Sequence, residues 1–224
     1  MNRLYKDPVM QKIRKHPILL GLAIVVAFIV ISPIVLWSIV NHPRPVGTPS
    51  AEADILAKKL QDNVNIAAWE KTRTVRFTSM GARSYVWDRN ADQVTVTAND
   101  TVVTFSPSKE EASTNDALIA WKVDIFWFNP IATLFDAGVK RSIIKQPDGR
   151  DALFVEYPDG DGTLWHFDDA LMPVSWQIWS KLTPVGGLRA GWGDYVTLAT
   201  GAIVSSKHAT FMYNFEFTNI AGSF

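Results

Sequence analysis

Two short patterns in this 224-residue chain have the spacing of acyl-transfer chemistry. Ser142-Ile143-Ile144-Lys145 and Ser106-Pro107-Ser108-Lys109 both read S-x-x-K, in which a lysine activates a serine hydroxyl one helical turn away. That chemistry needs both side chains on one face of a helix. Residues 141–145 alternate as a strand, where positions three apart point to opposite faces, and 106–109 is a loop broken by proline. Neither pattern predicts a nucleophile. The nucleophile elbow, the Walker loop and the dinucleotide fingerprint are absent from the sequence. A periplasmic hydrolase built on Ser142 or His166 is therefore the weakest reading, and the chain is not expected to be an enzyme.

Metal chemistry has little more to draw on. His16 and His42 flank an apolar segment, which leaves His166 and His208. His166 with Asp168 offers two ligands from one strand face, but no others at a fitting spacing, so a half-buried strand histidine is expected. Asp159, Asp161 and Thr163 open like a calcium loop, yet Leu164 stands where that loop needs glycine, which predicts a hairpin turn. Asn99-Asp100-Thr101 is a glycosylation sequon, of consequence only in a eukaryotic secretory pathway. No metal and no cofactor is expected. The absence of cysteine excludes disulfide scaffolds, thiol catalysis and N-terminal lipoprotein acylation.

Aromatic side chains are the unusual resource. Of nine tryptophans only Trp37 falls in the apolar segment; Trp69, Trp87, Trp121, Trp127, Trp165, Trp176, Trp179 and Trp192 belong to the rest. On alternating strands Trp165 shares a face with Phe167, and Trp176 with Ile178. If the segment carrying Trp121, Phe126 and Trp127 covers the same side, these seven residues line an apolar groove fit for an acyl chain or other apolar ligand. The opposing expectation is that the rings fill one another's space and leave no pocket.

The elements that must position these residues follow from patterning. Lysine plus arginine and aspartate plus glutamate number 22 each, which speaks against a dedicated nucleic-acid binder. The balance conceals a basic tail, residues 1–17, with Arg3, Lys6, Lys12, Arg14 and Lys15 against Asp7 alone; the remainder has 17 basic and 21 acidic residues. Ile18 to Val40 follows without a charge, and as a helix at about 1.5 Å per residue it is roughly 34 Å long, enough to span a bilayer. The run is too long for a cleaved signal and lacks a small-x-small site, so residues 18–40 are expected to be an uncleaved signal anchor. Five basic residues before it and only Arg44 close behind place the N-terminus in the cytoplasm and the main domain in the periplasm of a bacterial inner membrane. Ser32-Pro33 predicts a kink, Trp37 is placed as an interfacial anchor, and Ala23 and Ala27 form a small-xxx-small pair.

Residues 41–50, rich in proline, read as a stiff extended linker to a domain over 51–224. Ser50 is placed to cap a helix with an apolar stripe of Ile55, Leu56, Leu60, Val64 and Ala67. Four short strands between Val75 and Phe105 form a meander with a turn at Asn99-Asp100. A helical insertion over residues 114–136, capped by Thr114 or Asn115, splits at Asn129-Pro130. Strands resume at 141–145, 152–157, 163–167, 174–181, around 188–198, and finally at 209–218. The fold class is α+β: one curved antiparallel sheet, an unclosed half-barrel, with helices covering one face.

This element order, together with the hairpin tract Tyr157–Ser180 (YPDGDGTLWHFDDALMPVSWQIWS), resembles the LolA/LolB-like lipoprotein carriers. The resemblance implies a curved sheet lidded by helices whose concave face holds lipid chains. The soluble carrier of that family has a cleaved signal and its receptor an acylated cysteine; here an anchor stands in place of both. It therefore implies a tethered relative that accepts, presents or senses an apolar ligand, without the full carrier cycle. The expected partners are the membrane and a lipid, lipoprotein acyl chain or other apolar ligand. The alternative is an accessory or assembly subunit that contacts other membrane-protein subunits through its aromatic surface.

Overall fold

The computed structural model describes residues 17–109, 116–181, 183 and 185–224. The basic tail up to residue 16 and the Thr114/Asn115 cap lie outside these. The chain divides into two compact units, the first ending at His42 and the second comprising Pro43–Phe224.

The first unit is helix α1 (Pro17–Val40), which continues through Pro33. Its stretch Gly21–Val40 is long and apolar enough to cross a membrane. Leu22, Phe28, Ile34 and Ile39 are all exposed, so apolar side chains surround the axis and no polar face exists.

The second unit begins with residues 43–50, which form neither helix nor strand. They lie along strands described below. Arg44 donates to the carbonyls of Gly160 and, at 3.1 Å, Asp161, pairs with Glu156 at 3.3 Å, and sits 5.5 Å over the Phe154 ring. Gly47 is pressed so close to Ser142 that a Cβ there would meet the serine Cβ at 2.4 Å. Ser50 then caps helix α2 (Ala51–Asn63), its hydroxyl accepting from the Ala53 N–H at 3.2 Å. The buried stripe of α2 is Ala53, Ala57 and Leu60; Ile55 is exposed. The single helix expected up to Trp69 breaks at Asn65, whose left-handed backbone (φ 54°) suits asparagine and whose side chain caps a second helix, α3 (Ile66–Lys71). Arg89 closes the far end of α3, donating to the carbonyls of Trp69 and, at 2.9 Å, Thr72 while lying over Trp69 and Trp87.

The expected meander is present as β1 (Thr74–Ser79), β2 (Arg83–Asp88), β3 (Gln93–Ala98) and β4 (Thr101–Phe105). Helix α4 (Asp116–Phe128) and a 3-10 turn (Pro130–Thr133) divide at Asn129-Pro130, where proline cannot continue the α-helix. Then come β5 (Lys140–Lys145), β6 (Asp151–Glu156), β7 (Gly162–Phe167), β8 (Pro173–Trp179), β9 (Leu188–Gly191), β10 (Gly193–Thr197), β11 (Ile203–Ala209) and β12 (Asn214–Ser223).

These strands make an α+β fold with two antiparallel sheets, where the patterning alone gives one. The larger has the order β10-β11-β12-β1-β2-β3-β4, the smaller β5-β6-β7-β8-β9. The chain changes sheets at Trp192, between β9 and β10. The sheets meet there without strand pairing: the His208 Nδ1 in β11 lies 3.2 Å from the Gly191 carbonyl in β9. Two other expectations are corrected at this end. The stretch 188–198 is two strands, and the final strand of 209–218 is a hairpin, with β11 ending and β12 beginning on either side of Thr210–Tyr213.

The core lies between the sheets. Phe77, Tyr85 and Phe217 enter from the larger and Leu153, Trp165, Trp176 and Ile178 from the smaller, all buried. Trp127 of α4 joins the two, stacked on Phe215 at 3.8 Å between ring centroids and edge-on to Trp176 at 5.3 Å.

Candidate functional site

Helix α4 is apolar on two sides, and the two sides do different work. One side carries Trp121, Asp124 and Phe128 onto the larger sheet. Phe128 stacks on Phe77 at 4.3 Å, and Trp121 packs against Tyr85 and Trp87 at 5.3 and 5.1 Å. Among these rings Asp124 is 1% exposed and accepts three hydrogen bonds: Tyr85 Oη at 2.7 Å, Arg83 Nε at 2.8 Å and Arg83 Nη2 at 3.1 Å. A buried carboxylate needs such partners to stay charged. The bond to Asp124 raises the Arg83 guanidinium further above its ordinary range, and burial, aided by Asp124, raises the Tyr85 hydroxyl.

The other side carries Ile119, Lys122, Val123 and Phe126, at i, i+3, i+4 and i+7, hence on one stripe of the helix. This stripe is one wall of an open groove of about 450 Å³. Opposite stand Ile178 of β8 and Leu188 of β9; Tyr213 and Phe215 close the end beside β12, and Asp159 and Asp161 from the β6–β7 turn reach the rim. The floor is hydrocarbon and aromatic, and the charges of Lys122, Asp159 and Asp161 stand at its margin. Such a site offers apolar burial with polar groups at the mouth.

The residues singled out from sequence separate into four places. Phe126, Trp127 and Ile178 line the groove together. Trp165 and Trp176 are fully buried behind it, packed with each other at 5.1 Å and with Trp192 at 5.2 and 6.0 Å. Trp121 lies in the cluster on the larger sheet. Phe167 lines another cleft, with His166, at the end of β7 where the register with β8 shifts and Val174 is the extra residue of β8. Open trough and solid filling, posed as alternatives by the sequence, thus occur side by side. Sequence reasoning missed Ile119, Lys122, Val123, Leu188, Tyr213 and Phe215. The heptad-like spacing of 119, 122, 123 and 126 was the available signal for the helix wall.

Polar groups in the filled part are imperfectly served. The Trp165 indole donates to the Thr163 hydroxyl at 3.0 Å, but the N–H groups of Trp176 and Trp192 are buried without an acceptor. His208 packs edge-on to Trp192 at 4.7 Å with no exposed surface. Burial pushes its imidazole down to about 4, against the Gly191 and Trp127 carbonyls, which favour the charged ring.

The catalytic patterns dissolve on inspection of their surroundings. Ser142 is buried beneath Gly47, its hydroxyl without a partner, whereas Lys145 pairs with Asp151 at 2.6 Å. Their strand positions face opposite ways, as the spacing requires. Ser106 and Ser108 both donate to Asp92. His166 lies on β7, half-buried, 3.4 Å from the Gln177 Oε1, in a polar cleft of about 200 Å³ with Asp148, Arg150 and Arg189. Burial lowers its imidazole below the ordinary range. The Asp159–Asp161 segment is a turn, the Asp161 N–H donating to Asp159 Oδ1 at 3.0 Å. Among the described residues no group of three histidine, aspartate or glutamate side chains is placed to hold a metal ion. Compared with known proteins, the chain matches no family model, no curated protein and no solved structure.

Proposed function

We propose that this chain is a single-pass bacterial inner-membrane protein, N-terminus in the cytoplasm, whose periplasmic domain binds a lipid, a lipoprotein acyl chain or another apolar ligand in the groove under α4. The observation that carries the reading is the outward stripe of that helix. A helix apolar on every side is normally buried on every side; α4 turns Ile119, Val123 and Phe126 instead into an open trough. Its volume falls within the roughly 300–1,000 Å³ of small-ligand sites. Burial of a ten-carbon segment there is worth about 8 kcal/mol before ordering costs, at about 0.8 kcal/mol per methylene. Binding makes and breaks no bond. Release requires a partner or a helix movement that favours the empty state, since apolar burial alone provides no exit. The LolA/LolB-like carriers hold lipid against one curved sheet lidded by helices; here the proposed groove lies where α4 meets β8, β9 and the start of β12, in a form tethered by α1.

The test is photolabelling of the full chain in detergent micelles with a diazirine-bearing fatty acid. Adducts are expected on the peptides holding residues 119–126 and 178–188, and Val123→Trp, which fills the trough, is expected to abolish them. Adducts confined to α1, or unchanged in Val123→Trp, would overturn the reading in favour of an accessory subunit acting through protein contacts.

A further inference from the structure

The groove ends at an apolar hairpin that the binding reading does not explain. Between β11 and β12 the chain turns through Thr210-Phe211-Met212-Tyr213, and the last three side chains are exposed by 58%, 47% and 40%. Exposing three consecutive large apolar residues at a turn costs solubility and gains nothing for the sheet, because turns ordinarily carry Gly, Asn, Asp, Ser or Pro. No charge occurs from Ala209 to Phe215.

The two ends of this tip are tied to each other through Thr210 and Tyr213. The Thr210 hydroxyl accepts from the N–H groups of Met212 and Tyr213 at 3.3 and 3.1 Å and reaches the Tyr213 carbonyl at 2.6 Å; the Thr210 N–H donates to that same carbonyl at 3.0 Å. These bonds pair the peptide groups at the base of the tip, which lowers the cost of placing that base at a lipid interface.

Its position is equally specific. In the larger sheet the tip lies at the same end as the β1–β2 turn, where exposed Met80 donates its N–H to the Glu216 carbonyl at 2.8 Å. The β2–β3 turn at the opposite end carries Asp88, Arg89, Asn90 and Asp92. Tyr213 belongs to both tip and groove wall, so the apolar surface is continuous from one to the other. On the far side of the groove is the β6–β7 turn, and to it Arg44 binds. Arg44 therefore holds the start of this domain beside the groove rim.

We propose that the Thr210–Tyr213 hairpin is a membrane-dipping rim: Phe211 and Met212 enter the outer leaflet of the bilayer that α1 spans, and the groove takes its apolar chain from that leaflet without passage through water. The occupant of the exposed patch is lipid. The proposal rests on α1 being a membrane span and goes beyond occupancy of the groove, because it states where the ligand enters.

The chain has no cysteine, so a single environment-sensitive dye at Met212→Cys reports on the tip alone. The labelled full chain is placed in vesicles of phosphatidylethanolamine and phosphatidylglycerol, with a second sample labelled at Asn90→Cys. Quenching by spin-labelled lipid several-fold stronger at 212 than at 90 is the expected result. Equal quenching of both by aqueous iodide would overturn the proposal, and so would a dye at 212 shielded from iodide and lipid alike, which marks a protein contact. In a second arm, the double variant Phe211→Asp, Met212→Asp is expected to lower groove labelling by a vesicle-borne photolipid several-fold while leaving labelling by a soluble short-chain fatty acid unchanged. Unchanged labelling from vesicles would show that the rim is not the entry. If neither probe labels the groove while the dye at 212 is quenched by lipid, the groove reading fails and the membrane contact stands.

Discussion

The two sides of α4 have nearly the same composition and opposite fates. Toward the larger sheet, Trp121 and Phe128 are sealed among Phe77, Tyr85 and Trp87, and Asp124 fastens them through three hydrogen bonds. Toward the smaller sheet, Phe126 packs on Trp176 at 5.3 Å, and Ile119 and Val123 line an open groove with Ile178 and Leu188. The difference is not hydrophobicity. What the sealed side adds is a hydrogen-bond anchor to its sheet, Asp124 with Arg83 and Tyr85.

The comparison can be broken most forcefully on the sealed side. Phe128→Ala removes a ring stacked on Phe77 and should cost about 3–5 kcal/mol, lowering the thermal midpoint by roughly 10 °C; differential scanning calorimetry of the full chain in micelles would show it. A loss no greater than that of Phe126→Ala would erase the distinction between the sides. The filled region beneath Trp127 should also respond to acid. His208 is held near 4 in the fold against 6.5 when free, so the unfolded chain binds the extra proton first. Stability from the neutral ring is fully present above about pH 6.5 and is lost as pH falls toward 4, by roughly 3 kcal/mol over that window. Melting curves between pH 7.5 and 4 should flatten in His208→Phe; an equally steep fall in the variant would assign the acid sensitivity elsewhere.

Smaller effects sharpen the contrast. Asp124→Asn keeps the shape but weakens the bonds to Arg83 and Tyr85, and about 2 kcal/mol is expected, part of the loss being met by water at the half-exposed guanidinium. Because the anchor ties the helix to its sheet, this variant should also change the labelling pattern of the groove, which a mere loss of stability would not do. Ile119→Ala, at a half-exposed site, should shift stability by less than about 0.5 kcal/mol. Its signature is weaker retention of the photoreactive fatty acid, read by titration.

Local rules reached far into this molecule, and their failures are physical. Ser50 as a cap, the meander up to Phe105 and the break at Asn129-Pro130 depend on neighbours within a few residues, and each is present. The division into two sheets was not legible, because it turns on whether β9 pairs with β11, residues whose separation leaves no local trace. Phe167 lies at the end of β7, where its partner strand carries the extra residue Val174, and alternation along one strand cannot announce a bulge in its neighbour. Asp124 was passed over as one acid in an apolar run. Its meaning depends on Arg83 and Tyr85, some 40 residues earlier. The seating of residues 43–50 was hidden for the same reason: proline-rich composition describes stiffness, not what the stretch lies against.

The pairing of β12 with β1 governs the order of events when the chain is made. The first strand of the domain hydrogen-bonds to the last, Thr74 opposite Ser223, and Arg44 waits for the turn at Gly160 more than a hundred residues downstream. During synthesis the leading portion is made with its sheet edge vacant and its strap unseated. The larger sheet cannot be completed until β12 has been made, so the exposed edge of β1 must be kept from wrong partners throughout that interval. The hairpin that rims the groove is among the final pieces to arrive. The groove therefore has no complete wall until Tyr213 and Phe215 are in place.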